Sequence, residues 1–304
     1  MSYKAGFLGL IGQPNAGKST LMNYLVNEKV SIVTEKPQTT RRRVLGVWSA
    51  DEGQIVFVDA PGLINADKGL NGFLSKEAED VIGQSDAILA IISLDEKSAE
   101  DAEKVIKMVS SSHKPWAGVI TKSDLVEKQH RIMILKKMIE DAGGKAFQVT
   151  AKDMDADPEN REALLLEFLA LLPESPAPLY DVELFTPHNT RDLVAEVIRE
   201  KCFEFVHQEI PFSMAVRILK FDENATPCPK LYAEILVAKE NHKAIVIGKG
   251  GANLKEIGTT ARKEIEKLLG EKVFLDLIVN FKADWFNNKR IMQELGYVRE
   301  HNED

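Results

Sequence analysis

Two kinds of apolar pattern divide this chain. Up to residue 172, short apolar runs alternate with stretches of helical spacing. Ala5-Gly6-Phe7-Leu8-Gly9-Leu10-Ile11 is a continuous apolar run, as in a strand buried on both faces. A helix is expected over 17–27, carrying Leu21, Met22, Leu25 and Val26. Residues 43–50 and 53–59 predict two strands joined by the Asp51-Glu52-Gly53 turn, so one antiparallel edge strand joins an otherwise parallel sheet. Residues 86–93, 116–121 and 145–150 complete the strands, with helices over 76–84, 98–110, 128–141 and 159–172. Residues 28–43 and 63–76 have no clean period and read as loops. Alternation at this spacing predicts a doubly wound α/β domain with right-handed crossovers.

The remainder reads differently. Four prolines punctuate residues 173–187, a composition that holds a chain extended and semi-rigid. The expected organisation is a first domain over 1–173, a Pro-rich linker over 174–190 and a second domain over 191–304. Leu193, Val194, Val197, Ile198 and Phe205 mark a helix over 191–207, with Thr190 able to cap it. Strands follow at 212–221 and 230–239, a helix at 257–269 and a strand at 273–280. The overall order is read as α-β-β-α-α-β, although the apolar run Ala244-Ile245-Val246-Ile247 reads locally as a strand before a glycine turn.

Composition adds little to the fold and something to the partner. With 44% hydrophobic and 28% charged residues, the chain is that of an ordinary globular protein. Its net charge of −8 argues against nucleic-acid binding by the whole surface, but Lys239 to Arg290 carries +4. A locally basic segment points to a polyanionic partner. The two cysteines, Cys202 and Cys228, form no metal-ligand pattern with the six histidines, which fits a reducing, cytoplasmic compartment. Cys202 falls in a helical pattern and reads as apolar filling. There is no apolar signal core at the N-terminus, and no run reaches the ~18 apolar residues of a spanning helix.

The chemistry concentrates at the carboxyl ends of the strands. Gly12-Gln13-Pro14-Asn15-Ala16-Gly17-Lys18-Ser19-Thr20 is G-x-x-x-x-G-K-S, placed between a strand and a helix. Its backbone N–H groups can form an anion nest, Lys18 can reach β- and γ-phosphates, and Ser19 can offer a hydroxyl to Mg²⁺. Asp59-Ala60-Pro61-Gly62 follows an apolar strand and fits D-x-x-G, with Asp59 toward Mg²⁺ and the Gly62 N–H toward a γ-phosphate. Thr121-Lys122-Ser123-Asp124 ends another strand. A carboxylate at Asp124 can accept both the N1 and N2 hydrogens of guanine, which adenine cannot offer, while Lys122 lays its stem over the base. Thr121 stands where the usual motif has asparagine. Thr150-Ala151-Lys152 offers backbone N–H groups to guanine O6. Within 28–43, Thr39 and Thr40 are both candidates to complete Mg²⁺ coordination; Thr40, directly before Arg41, is favoured. Gly248-Lys249-Gly250-Gly251 is G-x-x-G with a cation inside, preceded by Ile247. Lys243, Lys249 and Lys255 are candidate phosphate contacts, and Ile247 and Ile257 are either groove walls or core.

These motifs together resemble the bacterial Era family of GTPases, a P-loop GTPase domain followed by an α+β KH domain of type II. The resemblance runs from about Tyr3 to Tyr297 and includes Ile210-Pro211-Phe212-Ser213 and Leu295-Gly296-Tyr297. It departs at Ala60 and Thr121, where the family usually has threonine and asparagine, and Leu63 stands where a Ras-like enzyme has a water-orienting glutamine. It implies a GTP/GDP–Mg²⁺ switch in which Lys18, Thr40, Gly62 and Asn15 serve hydrolysis. Intrinsic turnover is expected to be slow. Asn15 is the position associated with a K⁺ ion in potassium-activated relatives. The implied partners are single-stranded 16S rRNA near its 3′ end, clamped by the G-x-x-G loop, and the 30S subunit whose assembly it assists. Peripheral association with the inner membrane and a monomeric state are further expectations. The competing reading is a non-catalytic RNA-binding adaptor with a degenerate nucleotide site.

Overall fold

A computed structural model describes residues 2–34, 36, 39–63, 69–96, 98–151, 157–207 and 209–297. Among the described residues, contacts divide the chain into two compact units, one holding those up to 63 and Leu74–Pro187, the other 69–73 and those from His188 onward.

The first unit is a six-stranded sheet of order β2-β3-β1-β4-β5-β6. Its strands are β1 (Lys4–Gly12), β2 (Val44–Ala50), β3 (Gly53–Asp59), β4 (Ala87–Ser93), β5 (Trp116–Thr121) and β6 (Lys145–Val149). Only β2 runs antiparallel, as the hairpin reading anticipated. β3 and β4 are buried at every position, which is why their sequences show no alternation. Helices α1 (Lys18–Val26), α2 (Gly69–Gln84), α3 (Ala99–Ser110), α4 (His130–Asp141) and α5 (Pro158–Leu169) follow in chain order. α3 shows the helical logic well. Ala102, Val105, Ile106 and Val109 form its buried face, and the Ser98 hydroxyl caps it by accepting from Asp101 N–H. One core layer holds Leu8, Leu10, Leu21, Leu25, Phe57, Leu89 and Phe168; another holds Ile11, Val58, Ile88, Ala90, Val105 and Val109.

One reading needs correction here. Residues 63–76 are not all loop, because α2 begins at Gly69. Its two early glycines disguise the helix, but Leu70, Leu74, Ala78 and Val81 are buried at helical spacing. The segment read as a linker is fastened to this unit. Val47 N–H donates to the Phe185 carbonyl (2.8 Å) and Thr186 Oγ1 donates to the Leu45 carbonyl (2.6 Å), both along the open edge of β2.

The second unit has helix α6 (Thr190–Phe205), strands β7 (Met214–Asp222) and β8 (Lys230–Val237), helices α7 (Glu240–Ile247) and α8 (Ala252–Leu269), strand β9 (Phe274–Phe281) and helix α9 (Lys289–Glu294). β7 pairs antiparallel with β8, and β8 pairs parallel with β9. The order α-β-β-α-α-β agrees with the sequence reading, but Ala244–Ile247 is helical and not a strand. The β-branched run suggested extension; tertiary context overrides it, burying Val246 while leaving Ile245 exposed. α8 starts five residues before the expected 257, its buried face being Ile257, Ala261 and Ile265. Cys202 is fully buried and burial pushes its thiol up to about 12, so it acts as apolar filling.

Candidate nucleotide site and RNA groove

Strand order reverses beside β1, between β3 on one side and β4 on the other. In an open α/β sheet the crevice outside the carboxyl ends at such a point is where ligands bind. A cavity of about 750 Å³ opens there. It is lined by Gln13 to Thr20, by Thr39, Thr40 and Gly62, by Ser93, Asp95, Glu96 and Lys122 at and just beyond the ends of β4 and β5, and by Asp101 in the first turn of α3.

The loop between β1 and α1 is built for close approach. Asn15 and Gly17 take left-handed φ values of 63° and 90°, a conformation that Gly and Asn tolerate best. Gly62 lies so near the loop that a Cβ would sit 2.7 Å from Pro14 backbone atoms. Lys18 is buried, and its ammonium donates to the carbonyls of Gly12 (3.2 Å) and Gln13 (3.0 Å). Burial pushes its pKa down, opposed by Asp59 and Glu96.

Asp59 is the centre of a second constellation. Its Oδ2 accepts from Ser19 Oγ (2.5 Å), Ser31 Oγ (3.1 Å) and Thr40 Oγ1 (3.3 Å), and Ser19 and Thr40 hydroxyls are 3.0 Å apart. Its Oδ1 is buried with no hydrogen-bond partner among the described residues. Burial pushes its carboxyl pKa up, against the pull of Lys18 and the hydroxyls. A buried carboxylate with a spare oxygen, ringed by hydroxyls, is a hard oxygen set of the kind Mg²⁺ takes. Thr39 points elsewhere, bonded to Thr34 Oγ1 (2.6 Å) and the Lys36 carbonyl (2.7 Å). Ser31 was not singled out from the sequence, because no motif marks a serine in an aperiodic loop.

At the base end, Thr121 is buried and donates to the Ala16 carbonyl (2.6 Å), tying β5 to the phosphate loop. Lys122 pairs with Asp95 at 2.9 Å, and Asp95 accepts from Ser93 Oγ (2.5 Å). The register of β5 with β6 brings Thr121 beside Val149, and Ser123 Oγ lies 2.9 Å from Thr150 Oγ1. Asp124, Thr150 and Ala151 therefore share one end of the sheet with the cavity but do not line it. Lys152 lies outside the described residues.

In the second unit, Gly248, Gly250 and Gly251 have φ of 74°, 62° and 81°. The turn joins α7 to α8, and only glycine adopts such a run without strain. Beside it is a groove of about 360 Å³ lined by Gly251, Leu254, Lys255, Gly258, Thr259, Arg262, Leu275 and Leu277. Lys249 and Gly250 are exposed at the turn; Lys243 and Ile247 are half-buried and stand outside the groove lining. Ile257 is fully buried, hence core. Leu254, Gly258, Thr259 and Arg262 went unmarked, although their helical spacing from the turn was a usable signal.

Fold and sites together define a P-loop GTPase joined to a KH domain. Family models agree: residues 7–122 match one described as a 50S ribosome-binding GTPase, and residues 209–286 match the KH domain. The chain belongs to the Era family. It is 37% identical to GTPase Era of Geotalea daltonii over 97% of this chain and 98% of that protein. Against GTPase Era of Alkaliphilus metalliredigens it is 36% identical, covering 98% and 100%. Among solved structures, Aquifex aeolicus Era bound to GDP·AlF4⁻ matches with a TM-score of 0.89 at 33% identity, covering 97% of this chain and all of that one. Era in complex with MgGDPNP and nucleotides 1506–1542 of 16S ribosomal RNA matches at 0.90 and 33%, covering 98% and 100%.

Proposed function

We propose that this chain is a GTP-hydrolysing switch that binds single-stranded 16S rRNA near its 3′ end and assists assembly of the 30S subunit. The observation that carries this reading is the end-to-end similarity to Era holding MgGDPNP and a 16S rRNA segment, because one chain there has both kinds of site. The 50S of the family description attaches to residues 7–122 alone and does not bear on what the KH unit selects.

In this reading the loop N–H groups and Lys18 hold the phosphates, and the Gly62 N–H meets the γ-phosphate. Ser19, Thr40 and Asp59 would hold Mg²⁺, which when bound neutralises phosphate charge. Asp124 selects guanine, with Lys122 over the base once released from Asp95, and Thr150, Ala151 and Lys152 at O6. Leu63 packs at the edge of the core and can neither transfer a proton nor orient water, so intrinsic hydrolysis is slow. Asn15 lines the cavity and would hold K⁺. The Lys249 turn and the groove beside it take RNA. A monomeric cytoplasmic protein with peripheral contact at the inner membrane is part of the proposal through family resemblance; no helix of the described residues is long and apolar enough to cross a membrane.

The test is the affinity of the full chain for an oligonucleotide of the 16S 3′ end, with GDP and with a non-hydrolysable GTP analogue. A difference of about fivefold or more is expected, since nucleotide and RNA sites that are coupled must each feel the other. Equal affinities would remove the switch; absence of binding would remove the rRNA partner.

A further inference from the structure

We infer that the strap over residues 179–185 is a docking ridge for a basic protein surface. Leu179, Val182, Leu184 and Phe185 are 44%, 56%, 42% and 53% exposed. Four large apolar side chains left in water on one short segment are unusual for a segment that is itself firmly held.

The holding is specific. The Gln54 side chain receives the Leu179 and Tyr180 N–H groups (2.8 and 2.9 Å) and donates back to the Tyr180 carbonyl (2.9 Å). Val47 N–H and Thr186 Oγ1 close the other end on β2. Asp181 shapes the turn between, accepting from Glu183 N–H at 3.0 Å through its side chain and from Leu184 N–H at 3.1 Å through its carbonyl. These bonds pin the strap at both ends and at its turn, and its four apolar side chains stay exposed. A segment ordered before binding gives up little entropy on association.

Charge selects the occupant. Residues 174–187 carry Glu174, Asp181 and Glu183 and no lysine or arginine. That repels a phosphate backbone and an anionic bilayer. It also disfavours a second copy of a chain with net charge −8. A protein surface that is apolar with a basic rim satisfies both features. On the proposed function, on which this inference rests, the partner is a basic protein of the small ribosomal subunit.

The experiment uses the full chain, purified 30S subunits and the 16S 3′-end oligonucleotide. With a photo-crosslinking residue at position 182, the expected adduct is with a basic subunit protein. Leu184→Asp with Phe185→Asp should weaken subunit binding by about tenfold or more, with oligonucleotide affinity and GTP binding unchanged. Crosslinks to rRNA or to a second copy, no crosslink, or wild-type subunit binding by the double variant would each overturn the ridge. A wild-type chain that binds neither oligonucleotide nor subunit overturns the proposed function itself, whereas one that binds the oligonucleotide while the double variant still holds subunits overturns the ridge alone.

Discussion

Glu96 lines the nucleotide cavity, yet no motif drew attention to it. Its Oε1 accepts from Ser93 N–H at 3.2 Å, and its Oε2 is buried with no hydrogen-bond partner among the described residues. Burial pushes its carboxyl from 4.5 to about 7, with Asp101 and Asp95 adding to the rise and the Ser93 N–H and Arg131 opposing it. The folded value is above the unfolded one. The favourable contribution is therefore complete below about pH 4.5 and is lost as pH rises through about 7. Glu96→Gln should widen its thermal-stability advantage over wild type between about pH 5 and about pH 8, by on the order of 1 kcal/mol. A gap that does not change with pH would show that folding leaves the Glu96 carboxyl at its ordinary value. Asn15 makes a second residue-level prediction. Turnover in K⁺ should exceed that in Na⁺ by about tenfold or more, and Asn15→Ala should level the two. Equal wild-type rates in the two salts would eliminate the ion. Thr39 and Thr40 show what neighbouring residues conceal: both are buried threonines, and only the path of the loop sends one hydroxyl to Asp59.

Elements follow their apolar period where burial is one-sided and mislead where it is not. α3 was legible from its stripe. α7 was not, because its β-branched residues describe a strand until Val246 is seen to be the buried one. The turn between α7 and α8 offers a clean test. A Cβ at Gly250 meets nothing within 4 Å, and aspartate tolerates a left-handed φ better than most residues. Gly250→Asp should cost about 1 kcal/mol of stability or less. Placing a carboxylate beside the groove should at the same time lower affinity for the 16S oligonucleotide by about tenfold or more. Unchanged oligonucleotide binding in a folded variant would move the RNA site elsewhere. β2 was legible as an edge strand, but its second neighbour was not. Prolines in 173–187 indicate extension without naming the edge that an extended chain can join.

At the scale of the whole molecule, charge and chemistry are partitioned. The nucleotide site lies in the first unit, the basic segment and its groove in the second. Asp124 is the lever that tests whether the two act as one machine. Asp124→Asn should exchange guanosine for xanthosine preference, because an amide can donate where xanthine presents an oxygen. In that variant a xanthosine triphosphate analogue, and not its guanosine counterpart, should alter RNA affinity. Oligonucleotide-binding curves with each analogue read this directly. Retained guanosine preference would place base selection on another residue.

Local sequence determined the phosphate loop, Asp59, the Thr121–Asp124 strand end and the G-x-x-G turn. Each depends on a few contiguous residues whose chemistry works at fixed spacing, and the continuous apolar runs determined a buried parallel sheet. Tertiary structure alone decided that Thr40 and not Thr39 reaches Asp59, that Ser31 joins them, that Glu96 lines the same cavity as Lys18 and that the proline-rich segment straps β2. Those relations join residues far apart in the chain or separate near-identical neighbours. They are made by where loops close over the sheet, and local period and composition carry no record of that closure.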